Sequence, residues 1–131
     1  AFGEHVINND VETALSVTLE KYPAEIIGFH ACPNVCPQKG LPGHDWFIEF
    51  SKRPNNFKGF VEYLDLCLRK QNIYYNDLVQ GGVIRPLKII LTKRGAFNAY
   101  MNSIEKLGGQ NKCPLISNDR KIGDYLNKFA T

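Results

Sequence analysis

The stretch KLGGQNKCPLISN, residues 106–118, puts two glycines, two side-chain amides and a lysine close to a proline. Gly108 and Gly109 let backbone come near a bound group. Gln110 and Asn111 add amide donors, and Pro114 restrains the exit. Presented this way, Lys112 can act as a compact positive charge on a carboxylate or phosphate. The same residue types also suit a plain polar turn, since glycine and asparagine favour chain reversals. Spacing alone leaves both readings open.

A second set could hold metal. His30, Cys32, Cys36 and His44 in FHACPNVCPQKGLPGHDW are four soft or borderline donors of the kind zinc prefers. Their spacing argues against a site, because structural zinc pairs its ligands closely at both ends and His44 stands alone. The expectation is an ordinary cysteine-containing hairpin loop with no metal; a zinc-stabilised structural domain is the weaker alternative. Of the four cysteines, Cys32, Cys36, Cys67 and Cys113, Cys67 falls in YLDLCLRK at a position that a helix buries. All four are expected as free thiols, in keeping with a chain whose start, AFGEHVINND, lacks the basic and apolar regions of a signal peptide. No G-x-S-x-G elbow or G-x-x-x-x-G-K-[ST] phosphate loop occurs. Glu49 and Glu62 lie on different elements, so no carboxylate pair is assigned.

These residues need a scaffold, and 131 residues suffice for one domain with a proper core. The chain is 44% hydrophobic and 22% charged, near average for globular proteins. Its 16 basic residues are spread among 13 acidic ones for a net charge of +3. Such a balance speaks against a nucleic-acid module, which concentrates Lys and Arg on one face. No run approaches the roughly 20 apolar residues that span a membrane, and a cytoplasmic location is expected.

VETALSVTLEKY places Val11, Leu15 and Leu19 on one helical face, with Asn9 or Asp10 as cap and Pro23 as stop. AEIIGFHA reads as a strand, and the Pro- and Gly-rich residues 32–43 as a loop. HDWFIEFS alternates, with Trp46, Ile48 and Phe50 facing opposite to Asp45, Phe47 and Glu49; the two strands make an antiparallel hairpin. RPNNFKGFVEYLDLCLRKQN is the best helix, capped by Asn55 or Asn56. IYYNDLVQGG reads as irregular, and PLKIILT as a central strand because of its apolar run. Gly95 opens a helix over AFNAYMNSIEKL that stops at Gly108–Gly109, and NDRKIGDYLNKF forms another with Asn118 or Asp119 as cap. The result is a small α+β domain, a short and mainly antiparallel sheet flanked by about four helices.

Several segments together resemble one family. AFGEHV, GHDWFIEFSKRP, LDLCLRKQNIYYNDLV and KLGGQNKCPLISNDR are similar, in order, to NAFGEEL, GxHEWLIEF, LDxxLxxxNxDYxxxR and KLGGQxKVPRLSNxR. Those patterns mark the C-terminal domain of Gretchen Hagen three proteins, the auxin-responsive promoter family, the last as in bacterial members. The resemblance implies a single domain over residues 1–131, the mobile lid of a longer adenylate-forming, acyl-acid amido synthetase. Such enzymes use ATP and Mg²⁺ to activate a carboxylic acid and pass the acyl group to an amine. It also implies that Lys112 is the catalytic lysine of adenylation, on a loop shaped by Gly108, Gly109 and Gln110 at the nucleotide. The partner would be the chain's own N-terminal adenylation domain. By itself the lid would be an inactive monomer needing no cofactor, and the alternative is a non-catalytic protein-interaction module. Two positions depart from the patterns. Leu115 stands where KVPR has arginine, and Leu78–Gly81 supplies no counterpart of the DYxxxR arginine.

Overall fold

The computed structural model describes residues 6, 8–35, 38, 40–106 and 113–131. Its elements run α1 (Asn8–Lys21), β1 (Glu25–Asn34), β2 (Gly43–Lys52), α2 (Phe57–Gln71), α3 (Ile73–Gln80), β3 (Lys88–Leu91), α4 (Ala96–Lys106) and α5 (Lys121–Asn127). This is the α+β domain that the sequence predicts.

The sheet is mixed, in the order β1-β2-β3. β1 and β2 form the expected antiparallel hairpin, with Ala31 opposite Trp46 and Cys32 opposite Asp45. β2 and β3 run parallel, with Trp46 opposite Ile89 and Ile48 opposite Leu91. A parallel neighbour needs a crossover connection, and α2 with α3 provides it.

Two elements depart from the sequence reading. β3 is an edge strand, not the central one; β2 takes the centre, buried from Gly43 to Phe50 on both faces. The apolar run of β3 is only half-buried, because four residues at the rim need cover less completely than the strand beneath two layers of helix. IYYNDLVQ is a helix, α3, rather than irregular. Asn72 caps it by accepting from the Tyr75 N–H at 2.9 Å, a start signal hidden among aromatic residues.

Caps elsewhere follow local chemistry. The Asn56 side chain accepts from the Gly59 N–H at 2.9 Å and starts α2. α1 begins one turn early, at Asn8, so that Asp10 lies within the helix, buried, accepting a 3.0 Å hydrogen bond from Asn72. At α5 the expectation of Asn118 or Asp119 as cap does not hold: Arg120 takes the N-cap position with no side-chain cap hydrogen bond, and the Asp119 carboxylate accepts from the Lys121 N–H at 3.0 Å just outside it.

Helices cover both faces of the sheet. On one side α1, α2 and α3 bury Val11, Leu15, Phe60, Leu64, Leu68 and Tyr75 against Trp46, Ile48 and Phe50. On the other, α4 and α5 bring Ala96, Phe97 and Leu126 onto Phe47 and Cys32. The approach there is close: a side chain at Gly28 would meet the Phe97 ring, and one at Gly123 would meet Cys32 and Phe47.

Candidate functional site

Gly108, Gly109, Gln110 and Lys112 lie outside the described residues, and so does Cys36. The structure does show how the chain is fixed immediately after them. Residues 114–117 lie along the outer edge of β1. The Ala31 N–H donates to the Leu115 carbonyl at 2.9 Å and the Ser117 N–H to the Ala31 carbonyl at 3.0 Å. Ala31 and Ile116 form a parallel bridge. Beside this pairing, His30 Nδ1 lies 2.7 Å from the Pro114 carbonyl oxygen. A carbonyl can only accept, so Nδ1 carries the hydrogen and the ring is in the Nδ1–H tautomer. Burial disfavours the charged ring and pushes the His30 pKa down.

Cys113 Sγ sits 3.9 Å from the same nitrogen, and burial pushes its thiol up to about 11. Cys32, opposite Asp45, is likewise pushed up to about 11 by burial. Both are protonated at neutral pH and poor nucleophiles. Cys32, Cys67 and Cys113 are free thiols.

A polar cluster holds the chain from residue 117 onward. Asp45 is almost fully buried at the start of β2 and accepts from Arg85 Nη2 at 2.7 Å and Arg120 Nη1 at 3.0 Å. Arg120 also donates to the Pro33 carbonyl at 2.9 Å, and Arg85 to the His44 carbonyl at 3.0 Å. One carboxylate thus ties together the end of β1, the start of β2, the lead-in to β3 and the lead-in to α5. Removing it would leave two guanidiniums without their shared partner.

Glu49, two turns of pleat further along β2, is buried and spoken for as well. Its carboxylate oxygens accept from the Gly95 N–H at 2.8 Å and the Phe97 N–H at 3.0 Å. It therefore caps α4 from the strand beneath it, satisfying N–H groups that a helix start leaves open. Sequence reasoning weighed Glu49 only as half of a carboxylate pair. The signal that could have found its role is an acid at an inward strand position before a helix whose own start lacks a capping side chain.

The three described donors of the potential zinc set are not brought together. His30 and Cys32 lie on the α4/α5 side, whereas His44 shares the face of Trp46 and stacks on the Tyr75 ring at 5.4 Å. The sheet stands between them. Among the described residues no group of three His, Cys, Asp or Glu could hold a metal ion. Mg²⁺ likewise finds no such group among them.

Leu115, at the arginine position of the family pattern, lines an apolar groove of about 500 Å³ along the edge of β1, with Leu15, Ile26, Phe97 and Met101. An aliphatic side chain suits that surface. Arg120 does not substitute for the missing guanidinium, since it is held on Asp45.

The whole is a three-stranded mixed sheet between two layers of helices, with residues 114–117 paired to its outer edge. The model of the GH3 family C-terminal domain matches residues 7–121, and the chain belongs to that family. Among solved structures, it is similar to an acyl acid amido synthetase, AtGH3.15, in complex with 2,4-DB: TM-score 0.72, 17% identity, over 94% of this chain and 24% of that one. A second structure of a GH3.15 acyl acid amido synthetase gives a TM-score of 0.69 at 18% identity, over 94% of this chain and 22% of that one. The chain thus spans about a quarter of the length of the structures it matches. No curated protein matches it.

Proposed function

We propose that this domain is the C-terminal lid of an ATP-dependent acyl-adenylating enzyme of the acyl acid–amino acid ligase type, and that Lys112 is its catalytic residue for adenylation. The observation that carries this reading is the likeness to acyl acid amido synthetases over nearly the whole chain, at a TM-score of 0.72. ATP and a carboxylic acid are the first substrates, and an amine the second. In the first half-reaction a carboxylate oxygen attacks the α-phosphorus, the bond to pyrophosphate breaks, and negative charge builds on the transferring group. An ammonium held there lowers the barrier and orients the carboxylate. Gly108, Gly109 and Gln110 shape the approach to the nucleotide. In the second, the amine nitrogen attacks the acyl carbon and AMP leaves. Mg²⁺ supplies charge neutralisation on the phosphates when bound; this chain is assigned no ligand to it. The partner is the protein's own N-terminal adenylation domain, and the setting is the cytoplasm, where ATP is available.

ATP–pyrophosphate exchange by the full-length protein, screened over candidate acids, tests the reading. Lys112→Ala is expected to slow exchange by roughly 100-fold or more, the scale of losing one transition-state charge stabiliser. Amide formation from a preformed acyl-adenylate should suffer much less. Lys106→Ala and Lys121→Ala are charge-matched controls from α4 and α5. Equal slowing by Lys106→Ala and Lys112→Ala would reduce the effect to general electrostatics and refute the assignment.

A further inference from the structure

We propose that the cleft between the end of α1 and the start of α2 binds a dianionic phosphate group, free or carried on a small organic molecule. The inference does not rest on the reading of Lys112. The cleft has a volume of about 280 Å³ and is lined chiefly by Lys21, Tyr22, Lys52, Arg53, Asn55 and Asn56. Three cations thus meet in one depression, and no carboxylate lines it. All three are exposed, and among the described residues none of them has an ion pair. Glu25 lies opposite Lys52 in the strand register, but its Oε1 accepts from the Ser51 hydroxyl at 3.3 Å. Like charges gathered without a counter-charge repel one another, and an anion seated among them relieves that repulsion.

Local structure holds the groups in place. Lys21 ends α1, and its Nζ lies 4.8 Å from the centroid of the Tyr63 ring, a cation held on a π-face. Tyr63 packs in turn on Tyr22, with ring centroids 5.8 Å apart. Lys52 is the last residue of β2, and Arg53 precedes the buried Pro54, which restricts it to extended backbone. Asn56 Oδ1 is taken by the Gly59 N–H at 2.9 Å, so its Nδ2 remains as a donor. A side chain at Gly59 would meet that Nδ2 at 2.7 Å and the Tyr22 ring at 2.9 Å, which shows how closely this end is packed. A cation at the end of α1 suits the helix dipole, and that accounts for Lys21 alone. Lys52 and Arg53 belong to the strand end and the connection, where no dipole asks for them.

The chemistry and the size both select phosphate. Arginine, lysine and amide N–H groups are donors to phosphate oxygens, arginine through its planar fork. The volume equals roughly nine water-sized units of about 30 Å³ each. A phosphate group therefore leaves room for part of a carrier, to which Tyr22 offers its ring.

The chain has a hydrophobic core of its own and serves as the sample. Labelled with ¹⁵N, it is titrated at fixed ionic strength with inorganic phosphate and with phenyl phosphate. Amide shifts should saturate at millimolar ligand and be confined to residues 21–23 and 52–59. Tighter binding of phenyl phosphate assigns the site to a carried phosphate, and equal affinity assigns it to the free ion. Arg53→Ala and Lys52→Ala should each weaken binding roughly 10-fold, the scale of one charge-assisted hydrogen bond, with thermal midpoints unchanged. Lys70→Ala, which removes an exposed lysine at the far end of α2, should change nothing. Phenyl phosphate should also bind severalfold more weakly at about pH 5, below the second pKa of about 6 of a phosphate monoester. No histidine or carboxylate lines the cleft, so that change reports the ligand.

Shifts that never saturate, or that fall equally on Lys70 and Lys121, would mark loose counter-ion condensation and overturn the site. So would unchanged affinity in both Arg53→Ala and Lys52→Ala. Should Arg53→Ala fail to fold, Arg53→Gln takes its place under the same criterion.

Discussion

The two faces of the sheet are built on different principles. Toward α1, α2 and α3 the strands present Trp46, Ile48 and Phe50, and the helices answer with aliphatic and aromatic side chains, including the edge-to-face pair of Phe50 and Phe60 at 5.6 Å. Toward α4 and α5 the same strands present His30, Asp45 and Glu49, all buried, between Cys32 and Phe47. Each of these three takes hold of a segment from later in the chain: His30 the Pro114 carbonyl, Asp45 the guanidiniums of Arg85 and Arg120, Glu49 the start of α4. Non-directional burial supplies most of what holds the first face, with a few long-range hydrogen bonds such as Asn72 to Asp10 and the Leu87 N–H to the Tyr75 hydroxyl beside it. Directional hydrogen bonds make the other face specific about where connecting segments go.

The comparison breaks if mutations on the two faces behave alike. Trp46→Ala removes the largest fully buried side chain of the apolar face and should cost about 3–5 kcal/mol. Chemical denaturation should show one cooperative transition at lower denaturant. Next in size is acid. Burial, helped by Arg85, pushes His44 from 6.5 down to about 4. The folded state therefore refuses a proton that the unfolded chain accepts below pH 6.5. Stability is full above that value and falls as pH drops toward about 4, by on the order of 3 kcal/mol. His44→Phe, which can keep the ring contact with Tyr75, should flatten that slope relative to wild type.

Glu49→Gln should cost about 1–3 kcal/mol, since one of two backbone N–H groups loses its acceptor. Its signature should be local: amide exchange in α4 rises before the rest of the domain opens. If α4 and α2 amides lose protection together in Glu49→Gln, the division of labour between the faces is wrong. The smallest effect is expected for Lys112→Ala on folding, within about ±0.5 kcal/mol as for surface changes. An equally unfolded Lys112→Ala domain would mark that residue as structural.

Legibility in the sequence followed the same division. Trp46, Ile48 and Phe50 alternate, and Phe60, Leu64 and Leu68 recur at helical spacing, so the apolar face could be read from periodicity. The His30, Asp45 and Glu49 contacts could not. Their partners lie 84, 75 and 46 residues away, and two of the three are backbone atoms that every residue carries. β3 was misplaced for a related reason, because an apolar run reports burial on some surface but not which neighbours supply it. α3 was missed because Tyr74, Tyr75 and Gly81–Gly82 outweighed a single capping asparagine. The family resemblance reached what periodicity could not, marking the lysine stretch by its motif.

The exposed rim of β3 carries a further consequence, for solubility. The Thr131 N–H bonds to the Leu91 carbonyl at 3.0 Å, the Lys93 N–H to the Phe129 carbonyl at 2.8 Å, and Ala130 bridges Thr92. Three residues following α5 therefore occupy hydrogen-bonding positions that would otherwise invite a strand from another molecule. Deleting 129–131 would free the Leu91 carbonyl and the Lys93 N–H at the rim of the strand, next to the apolar residues Ile89, Ile90 and Leu91. The shortened protein should fold yet self-associate in a concentration-dependent way, visible as a rising sedimentation coefficient. A strictly monomeric truncation would show that these residues guard nothing.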